Sequence, residues 1–399
     1  MTELKRSISL TMLVLYGLGV TIGAGIYVLI GEVAALAGYG APLSFVAAAA
    51  AAGLTALSFS ELATRYPESA GEAAYTEAGY RSPLMGTLIG LAVAAAGVIS
   101  AAAVAIGAAR YLATLVPIPP ALAVIVIVVL LGAVAVRGIA ESVAFAGLMT
   151  IVEAGGLILI AAGAVIADPD ILAKLGDTMS AAFSTAPMPI AAGAVIAFFA
   201  FIGFEDMVNV IEEVHEPQKT VPRAILLTLF FATLIYLSVA AIAVTVIPPD
   251  VLAKAPAPLA AVAEASGLVP AVVISSIAVA AGVNGILVQI VMASRVLYGI
   301  ARRGWIPAWL SSVNPRTRTP LRATVLVTVI ATALAVALPI EKLAAGTSVL
   351  ALTIFLIVNG ALILIKRREG TERATFHVPI AVPVAGAVIT AALIVVALL

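Results

Sequence analysis

Long uninterrupted apolar segments are the feature that most constrains the fold of this chain. Eleven segments have about the 20 residues that a helix needs to cross a bilayer. They lie at approximately residues 10–36, 42–64, 84–116, 120–136, 143–167, 189–211, 222–247, 266–300, 320–338, 342–364 and 380–398. The runs are continuous rather than alternating, which predicts helices and not the strands of a membrane barrel. We therefore expect residues 1–399 to form one all-α transmembrane domain.

Composition and charge narrow the class further. Of the 399 residues, 63% are hydrophobic and 11% are charged, against roughly half and a quarter in soluble domains. The net charge of 0 gives no indication of a nucleic acid partner, and the absence of cysteine excludes disulfides and thiolate catalysis. No metal site or cofactor is expected. The lipid bilayer is the one large partner that the sequence indicates, and the oligomeric state cannot be inferred.

The distribution of lysine and arginine predicts the orientation. If the amino terminus is cytoplasmic, sixteen of the 21 Lys and Arg residues fall on the cytoplasmic side, as the positive-inside rule favours. The first apolar segment is too long for a signal peptide and is expected to be retained. We therefore predict a multi-pass protein of the plasma (inner) membrane with a cytoplasmic amino terminus.

A weak internal repeat divides the chain. A shift of 180 residues places Ile22-Gly23 on Ile202-Gly203, Glu32 on Glu212 and Pro42 on Pro222. The first unit is residues 10–167, the second is residues 189–364, and the segment 380–398 lies outside both. Because five spans is an odd number, the second unit enters the membrane from the opposite side. Such inverted repeats are typical of secondary transporters, whose sites lie at discontinuous helices near the membrane midplane.

Glycines predict one such interruption in each unit. In "VTIGAGIYV" they favour a break at Ile22 to Gly25, with free amides that attract a carboxylate. In "FFAFIGFEDMV" Gly203 interrupts the helix and exposes carbonyls that attract an ammonium group. Together the two breaks describe a receptor for an α-amino acid. One of the aromatic rings at the second break, Phe199, Phe201 and Phe204, is expected to cap the substrate.

Four motifs, in order, carry a family resemblance. They are "GLGVTIGAGIYVLIG", "ELATRYPESAGEAAYTEAGYRSP", "FFAFIGFEDMVNVIEEVHEPQKTVPRAI" and "ASRVLYGIARRGWIPAWLSSVNPRTRTP". Over almost its whole length the chain resembles a permease of the amino acid-polyamine-organocation superfamily, near the prokaryotic cationic amino acid transporter-like branch. The resemblance implies a leucine-transporter-like fold of five plus five helices, with helices 1 and 6 discontinuous. It also implies that the backbone holds the substrate: its carboxylate at Ile22, Gly23, Ala24 and Gly25, and its amine at the carbonyls of Phe199, Ala200 and Ile202.

The chain departs from the family pattern in two respects. Family members commonly have twelve spans, whereas eleven are predicted here. In sodium-independent members that resemble this chain, the fifth helix often carries a lysine where a sodium ion would bind. Glu153 stands at that position here, and a carboxylate inverts the local electrostatics.

Ionisable residues within the spans are few, and they suggest the coupling ion. Glu153, Glu205 and Asp206 are the strongest candidates, because a charge kept in the membrane is costly and usually functional. The hypothesis is that Glu205, or Glu153, takes up a proton in one facing state of the transporter and releases it in the other. The alternative for Glu205 is a structural carboxyl bonded to backbone freed by the break. A second alternative is sodium coupling, with Glu153 as an ion ligand.

Other polar residues receive weaker interpretations. Ser100, Asn284, Gln289, Thr347 and Ser348 could line the pocket or cross-link helices, and the second is favoured; Asn359 is expected to cross-link. The acidic stretch Glu68, Glu72 and Glu77 is interpreted as a solvated loop, with an ion pair to Arg65 or Arg81 as the alternative.

The predicted function is secondary active transport of an amino acid by alternating access. A neutral substrate is slightly favoured over a cationic amino acid or a polyamine, because adjacent helical residues such as Glu205 and Asp206 point about 100° apart. An enzyme is not expected, because the chain has no zinc-protease, serine-hydrolase or phosphate-loop motif. A passive channel and a nonconducting sensor remain as alternatives of a different class.

Overall fold

A computed structural model describes residues 8–23, 25–67, 71–137, 143–304, 306–317, 319–369 and 374–399. Nearly all of them are helical. In chain order the α-helices are α1 (Leu10–Ile22), α2 (Gly25–Ala37), α3 (Ala41–Arg65), α4 (Gly71–Tyr80), α5 (Pro83–Ala113), α6 (Pro120–Arg137), α7 (Val143–Ala167), α8 (Ile171–Phe183), α9 (Pro187–Phe198), α10 (Pro217–Val246), α11 (Pro249–Leu252), α12 (Pro258–Ser266), α13 (Ala271–Arg302), α14 (Leu321–Ala337), α15 (Ile340–Glu369) and α16 (Ala381–Leu398). Short 3-10 helices form at Gly38–Gly40, Phe199–Phe201, Phe204–Glu213 and Ala308–Ser311.

The described helices account for all eleven apolar segments. Nine helical stretches are long and apolar enough to cross a membrane, and one of them, Gly25–Arg65, runs through both α2 and α3. Two shorter apolar helices are α1, the first part of the first predicted segment, and α14. The large side chains of Leu130, Ile166 and Phe230 are 60%, 69% and 62% exposed. Exposed apolar side chains of this kind on spanning helices form the surface that faces lipid.

Proline and small polar residues set several helix boundaries. The Ser9 hydroxyl accepts a hydrogen bond from the Met12 amide at the start of α1, and Ser82 does the same for α5. The eighth apolar segment was expected to begin at residue 266, and this boundary is wrong. Gly267 adopts φ +73° and ends α12, and α13 begins only after Pro270. The short helices α4, α8 and α12 between spans were not predicted.

Most described arginines lie at one end of the bundle, here called the arginine-rich face (Arg65, Arg137, Arg302 and Arg367). These residues are in the last turns of α3, α6, α13 and α15. The opposite face carries a different ion cluster, in which Arg110 of α5 lies 3.1 Å from Glu32 of α2 and 3.8 Å from Glu341 of α15. These contacts join three helices at the end of the bundle opposite the arginine-rich face.

Candidate functional site

The first interruption lies in the predicted glycine motif. Helix α1 ends at Ile22, Gly23 adopts φ +23°, and α2 begins at Gly25. Ala24, a predicted substrate contact, lies outside the described residues. A side chain at Gly25 would come within 2.9 Å of the Ala200 Cα atom. The glycine therefore allows the first interruption to pack directly against the second.

The second interruption follows α9. After the 3-10 turn Phe199–Phe201, Ile202 is extended and Gly203 adopts φ +127°, a conformation that favours glycine. A Cβ atom at Gly203 would lie 2.9 Å from the carbonyl carbon and oxygen of Val20 in α1. Both glycines are thus required by the close approach of the two broken segments.

Three backbone carbonyls at these breaks, those of Thr21, Phe199 and Ala200, have partners within the protein. The Tyr236 hydroxyl of α10 lies 2.8 Å from the carbonyl oxygens of both Thr21 and Ala200. The Phe199 carbonyl accepts from the Ile202 amide at 3.2 Å. Two of the three carbonyls expected to hold an amine therefore already accept a hydrogen bond, although a carbonyl oxygen has two lone pairs.

Glu205 satisfies an amide at the second break. Its Oε2 atom accepts a hydrogen bond of 2.8 Å from the Gly203 N–H. This contact is the one expected for a structural carboxyl, the alternative that the sequence left open. The side chain is also 9% exposed and lines a cavity. The geometry therefore allows both roles for Glu205.

A small cavity, here called the central cavity, lies beside the second break. Its volume is about 30 Å³. It is lined by Glu72, Val93, Ala96, Gly97, Ser100, Ile202, Glu205, Asp206, Gln289, Met292, Thr347, Ala351, Ile354 and Phe355. Of the predicted substrate contacts, Ile202 lines this cavity. Ile22, Gly23, Gly25, Phe199, Ala200, Phe201 and Phe204 are buried and do not line it.

The aromatic ring at the central cavity comes from a different helix than predicted. Phe355 of α15 lines the cavity, and its ring centroid lies 5.4 Å from that of Phe204 and 5.6 Å from that of Phe198. Phe201 packs instead against Tyr236, with centroids 5.1 Å apart. Phe198 and Phe204, on either side of the second break, therefore support the ring of Phe355.

A second cavity extends towards the arginine-rich face and is here called the wide cavity. It has a volume of about 520 Å³ and is lined by Tyr16, Glu72, Ala73, Gly86, Thr87, Gly90, Val93, Asp206, Val210, Val288, Val291, Met292, Arg295, Val296, Gly299, Ile300 and Arg303. The two cavities share Glu72, Val93, Asp206 and Met292. The cavities therefore adjoin at these four residues, which are here called the neck.

The interpretation of Glu72 as a solvated loop residue is wrong. Glu72 is only 6% exposed, and α4 places its side chain in the walls of both cavities. Burial raises the pKa of its carboxyl to about 7, with a smaller contribution from the Asp206 charge. Glu77 pairs with Arg303 at 3.5 Å, and Arg65 pairs with Glu61 at 2.8 Å; an ion pair of Glu68 with Arg65 or Arg81 stays a prediction. Glu68 lies outside the described residues.

Glu205 and Asp206, which the sequence predicts to point about 100° apart, both line the central cavity. The Glu205 side chain turns back towards the Gly203 amide. The direction of its carboxyl is therefore not that of an extended side chain on a regular helix.

Glu153 lies apart from these cavities, on α7. It is fully buried, and its backbone carbonyl accepts a hydrogen bond of 2.6 Å from the Tyr27 hydroxyl of α2. Neither oxygen of its carboxyl makes a hydrogen bond of ordinary geometry among the described residues, although the Asn284 amide of α13 lies close enough to interact with it. The same described residues contain no group of three or more His, Cys, Asp or Glu side chains that could hold a metal ion.

Comparison with known proteins now decides the family. The profile of the family described as "Amino acid permease" matches residues 7–399. The chain belongs to this family. It is accordingly a multi-pass membrane transporter of the amino acid-polyamine-organocation superfamily and not an enzyme.

The curated relatives of the permease carry names that give different substrates. It is 29% identical to the branched-chain amino acid permease BcaP of Bacillus subtilis, over 94% of this chain and 84% of that protein. It is 30% identical to the vacuolar cationic amino acid transporter 2 of Arabidopsis thaliana, over 91% of this chain and 60% of that protein. It is 28% identical to the methylthioribose transporter of Bacillus subtilis, over 94% of this chain and 85% of that protein. Amino acid transport is the function that most of these names share.

The permease also has site residues that the sequence indicated only weakly. Ser100, Gln289 and Thr347 line the central cavity, although helix cross-linking was favoured for them. Asn359 does cross-link helices, because its side chain bonds Ser58 and Thr55 of α3. Glu72 could have been suspected from one signal, its position directly after a glycine between two apolar segments.

Proposed function

We propose that this permease is a proton-coupled secondary transporter that moves an amino acid by alternating access. The arginine-rich face is cytoplasmic in this proposal, and the protein resides in the plasma membrane. The observation that carries the proposal is the neck between the two cavities. It joins a small cavity beside the helix break, where acidic side chains lie among apolar ones, to a wide cavity that extends towards the arginine-rich face, as an inward-facing carrier requires.

The substrate is proposed to bind between the two broken helices. Backbone amides near Ile22 to Gly25 would hold its carboxylate, and the second lone pairs of carbonyls near Phe199 to Ile202 would hold its amine. These segments lie in direct contact with each other. A small separation of the two breaks would therefore expose both sets of backbone groups next to the central cavity.

Two buried carboxyls support coupling to protons. An ionised carboxylate without a partner is expensive in a low-dielectric site. Glu153 is fully buried without a hydrogen-bond partner among the described residues, and Glu205 lies beside two other acidic side chains at the central cavity. Binding a proton removes this cost, so a change in exposure between facing states would change proton occupancy.

The proposed substrate is a neutral amino acid, because the groups proposed to bind it are backbone amides and carbonyls, which match the carboxylate and amine of any α-amino acid. A cationic amino acid or polyamine is the alternative, and one observation favours it. Glu72, Glu205 and Asp206 all line the central cavity. A thermal-shift screen of the purified permease against the twenty amino acids and common amines would identify the ligand, because ligand binding stabilises the folded state.

Transport in proteoliposomes tests the proposal. Saturable counterflow of the identified amino acid would distinguish a carrier from a channel or a sensor. An imposed pH gradient, acidic outside, should accelerate uptake by the wild type, and Glu205→Gln or Glu153→Gln should abolish this acceleration. Glu264→Gln, on the exposed surface of α12, is the control and should retain it. An unchanged pH dependence in both test variants would exclude the two carboxyls from coupling.

Sodium coupling is the second candidate, and Glu153 is the observation that favours it. Both of its carboxyl oxygens lack a hydrogen-bond partner among the described residues, so a bound sodium ion would neutralise the carboxylate. Replacement of sodium by choline at constant pH separates the candidates. Loss of concentrative uptake in choline would support sodium, and unchanged uptake would support protons.

A further inference from the structure

We propose that Glu72 carries the coupling proton between the central cavity and the cytoplasm. This inference rests on the proton coupling proposed above and extends it from the central carboxyls to the exit. It concerns α4, a short helix outside the spans, to which the sequence assigned no function.

The position of Glu72 is the first argument. It lies in the first turn of α4 and contributes to the walls of both cavities, as Asp206 does. Glu205 lines the central cavity and not the wide one. The other neck residues, Val93 and Met292, cannot carry a proton. Any proton that passes from Glu205 to the wide cavity must therefore pass the carboxyls of Asp206 and Glu72.

An unsatisfied acceptor provides a second, independent argument. The Oε1 atom of Gln289 is buried, lines the central cavity and has no hydrogen-bond partner among the described residues. Such an acceptor favours a guest that donates a hydrogen bond. A volume of about 30 Å³ has room for roughly two water molecules. Water in this position would connect carboxyls that do not touch.

The transfer balances without another reactant. The O–H bond of the Glu205 carboxyl breaks and its proton joins a bridging water, which gives one of its own protons to the Glu72 carboxylate, either directly or through Asp206, which accepts a proton, passes it on to Glu72 and returns to the carboxylate. Glu72 then releases a proton to water in the wide cavity. Each bridging water keeps its two hydrogens, and the net change is one proton moved from Glu205 to the wide cavity.

The charged surroundings of Glu72 suit a group that exchanges protons. Asp206 and Glu205 face it from the 3-10 helix Phe204–Glu213, and Arg295 and Arg303 of α13 line the wide cavity. Arg303 also pairs with Glu77. From α15, Arg368 donates instead to the Ala78 and Gly79 carbonyls, and α5 and α1 bring no charged side chain to either cavity. With its pKa near 7, Glu72 changes charge in the physiological range.

Transport measured against the pH of each side tests the role of Glu72. In oriented proteoliposomes, wild-type net uptake should respond to pH on both sides. Glu72→Gln should lose the response to pH on the arginine-rich side and slow net uptake by roughly tenfold or more, as expected when a positioned proton carrier is removed. Counterflow, which needs no net proton release, should remain within about twofold of wild type. A merely structural residue would slow both processes together.

Two further variants complete the test. Glu77→Gln removes a carboxyl from the same helix at an exposed position and should behave as wild type. Glu72→Asp keeps a carboxyl and should restore the response to pH on the arginine-rich side, and it decides the matter if Glu72→Gln does not fold. Retention of this response in Glu72→Gln, or its loss in both Glu72→Asp and Glu77→Gln, would overturn the inference. A wild type that ignores pH gradients would instead contradict the proposed proton coupling itself.

Discussion

At the scale of single residues, the most densely bonded charge is Glu61 of α3. Its Oε1 atom accepts from Arg65 and from the Lys366 ammonium, and its Oε2 atom accepts from Lys366 and from the Val378 amide, all within 2.9 Å. Its side chain is fully buried. One carboxylate thus joins α3, α15 and the segment that leads to α16.

Loss of this carboxylate should be severely destabilising. Glu61→Gln would leave the Lys366 and Arg65 cations buried beside a neutral amide, and breaking a buried pair costs about 3–5 kcal/mol. We expect a large fall in the melting temperature of the purified protein. Glu216→Gln removes one side of an exposed pair with Lys219 and should change it little, because exposed pairs contribute little. Equal melting temperatures for the two variants would contradict this account.

At the scale of secondary structure elements, the two interrupted helices depend on glycine. Gly203→Ala would force an L side chain into φ +127° and against the Val20 backbone, with a cost of at least about 2 kcal/mol from strain and overpacking. Gly25→Ala introduces only the close contact with Ala200, so the loss of stability should be smaller. Uptake and melting temperature should therefore fall more in Gly203→Ala than in Gly25→Ala.

Gly155→Ala is the matched control for these substitutions. Gly155 lies inside α7, has no positive φ and has no neighbouring atom within 4 Å of an added Cβ. The change should be neutral or stabilise by roughly 0.4–1 kcal/mol, because alanine restricts the unfolded chain. A Gly203→Ala variant as stable and active as Gly155→Ala would show that the second break needs no special backbone conformation.

The sequence predicted these elements because their causes are local. Apolar runs of membrane length identify spans, and glycines such as Gly23 and Gly203 weaken a helix wherever it is placed. Glu72, in contrast, acquires its surroundings only when α4 packs against the cavities. Lys366 meets Glu61 across 305 residues of sequence, a pairing that no local pattern contains. Spans and interruptions were therefore more predictable than the residues that share a cavity.

At the scale of the whole molecule, the two faces differ in charge and in access. The wide cavity approaches the arginine-rich face, while Arg110 joins Glu32 and Glu341 near the opposite face. If the arginine-rich face is cytoplasmic, the described conformation faces inward and these ion pairs close the outer side.

Single-cysteine labelling tests this orientation directly, because the chain has no cysteine of its own. Val313 is 45% exposed in the connection between α13 and α14, at the arginine-rich face, and Ser184 is exposed after α8, at the opposite face. In intact cells, a membrane-impermeant maleimide should label Ser184→Cys and leave Val313→Cys unlabelled, and both should react after permeabilisation. The reverse pattern would invert the topology, and the wide cavity would then open to the outside.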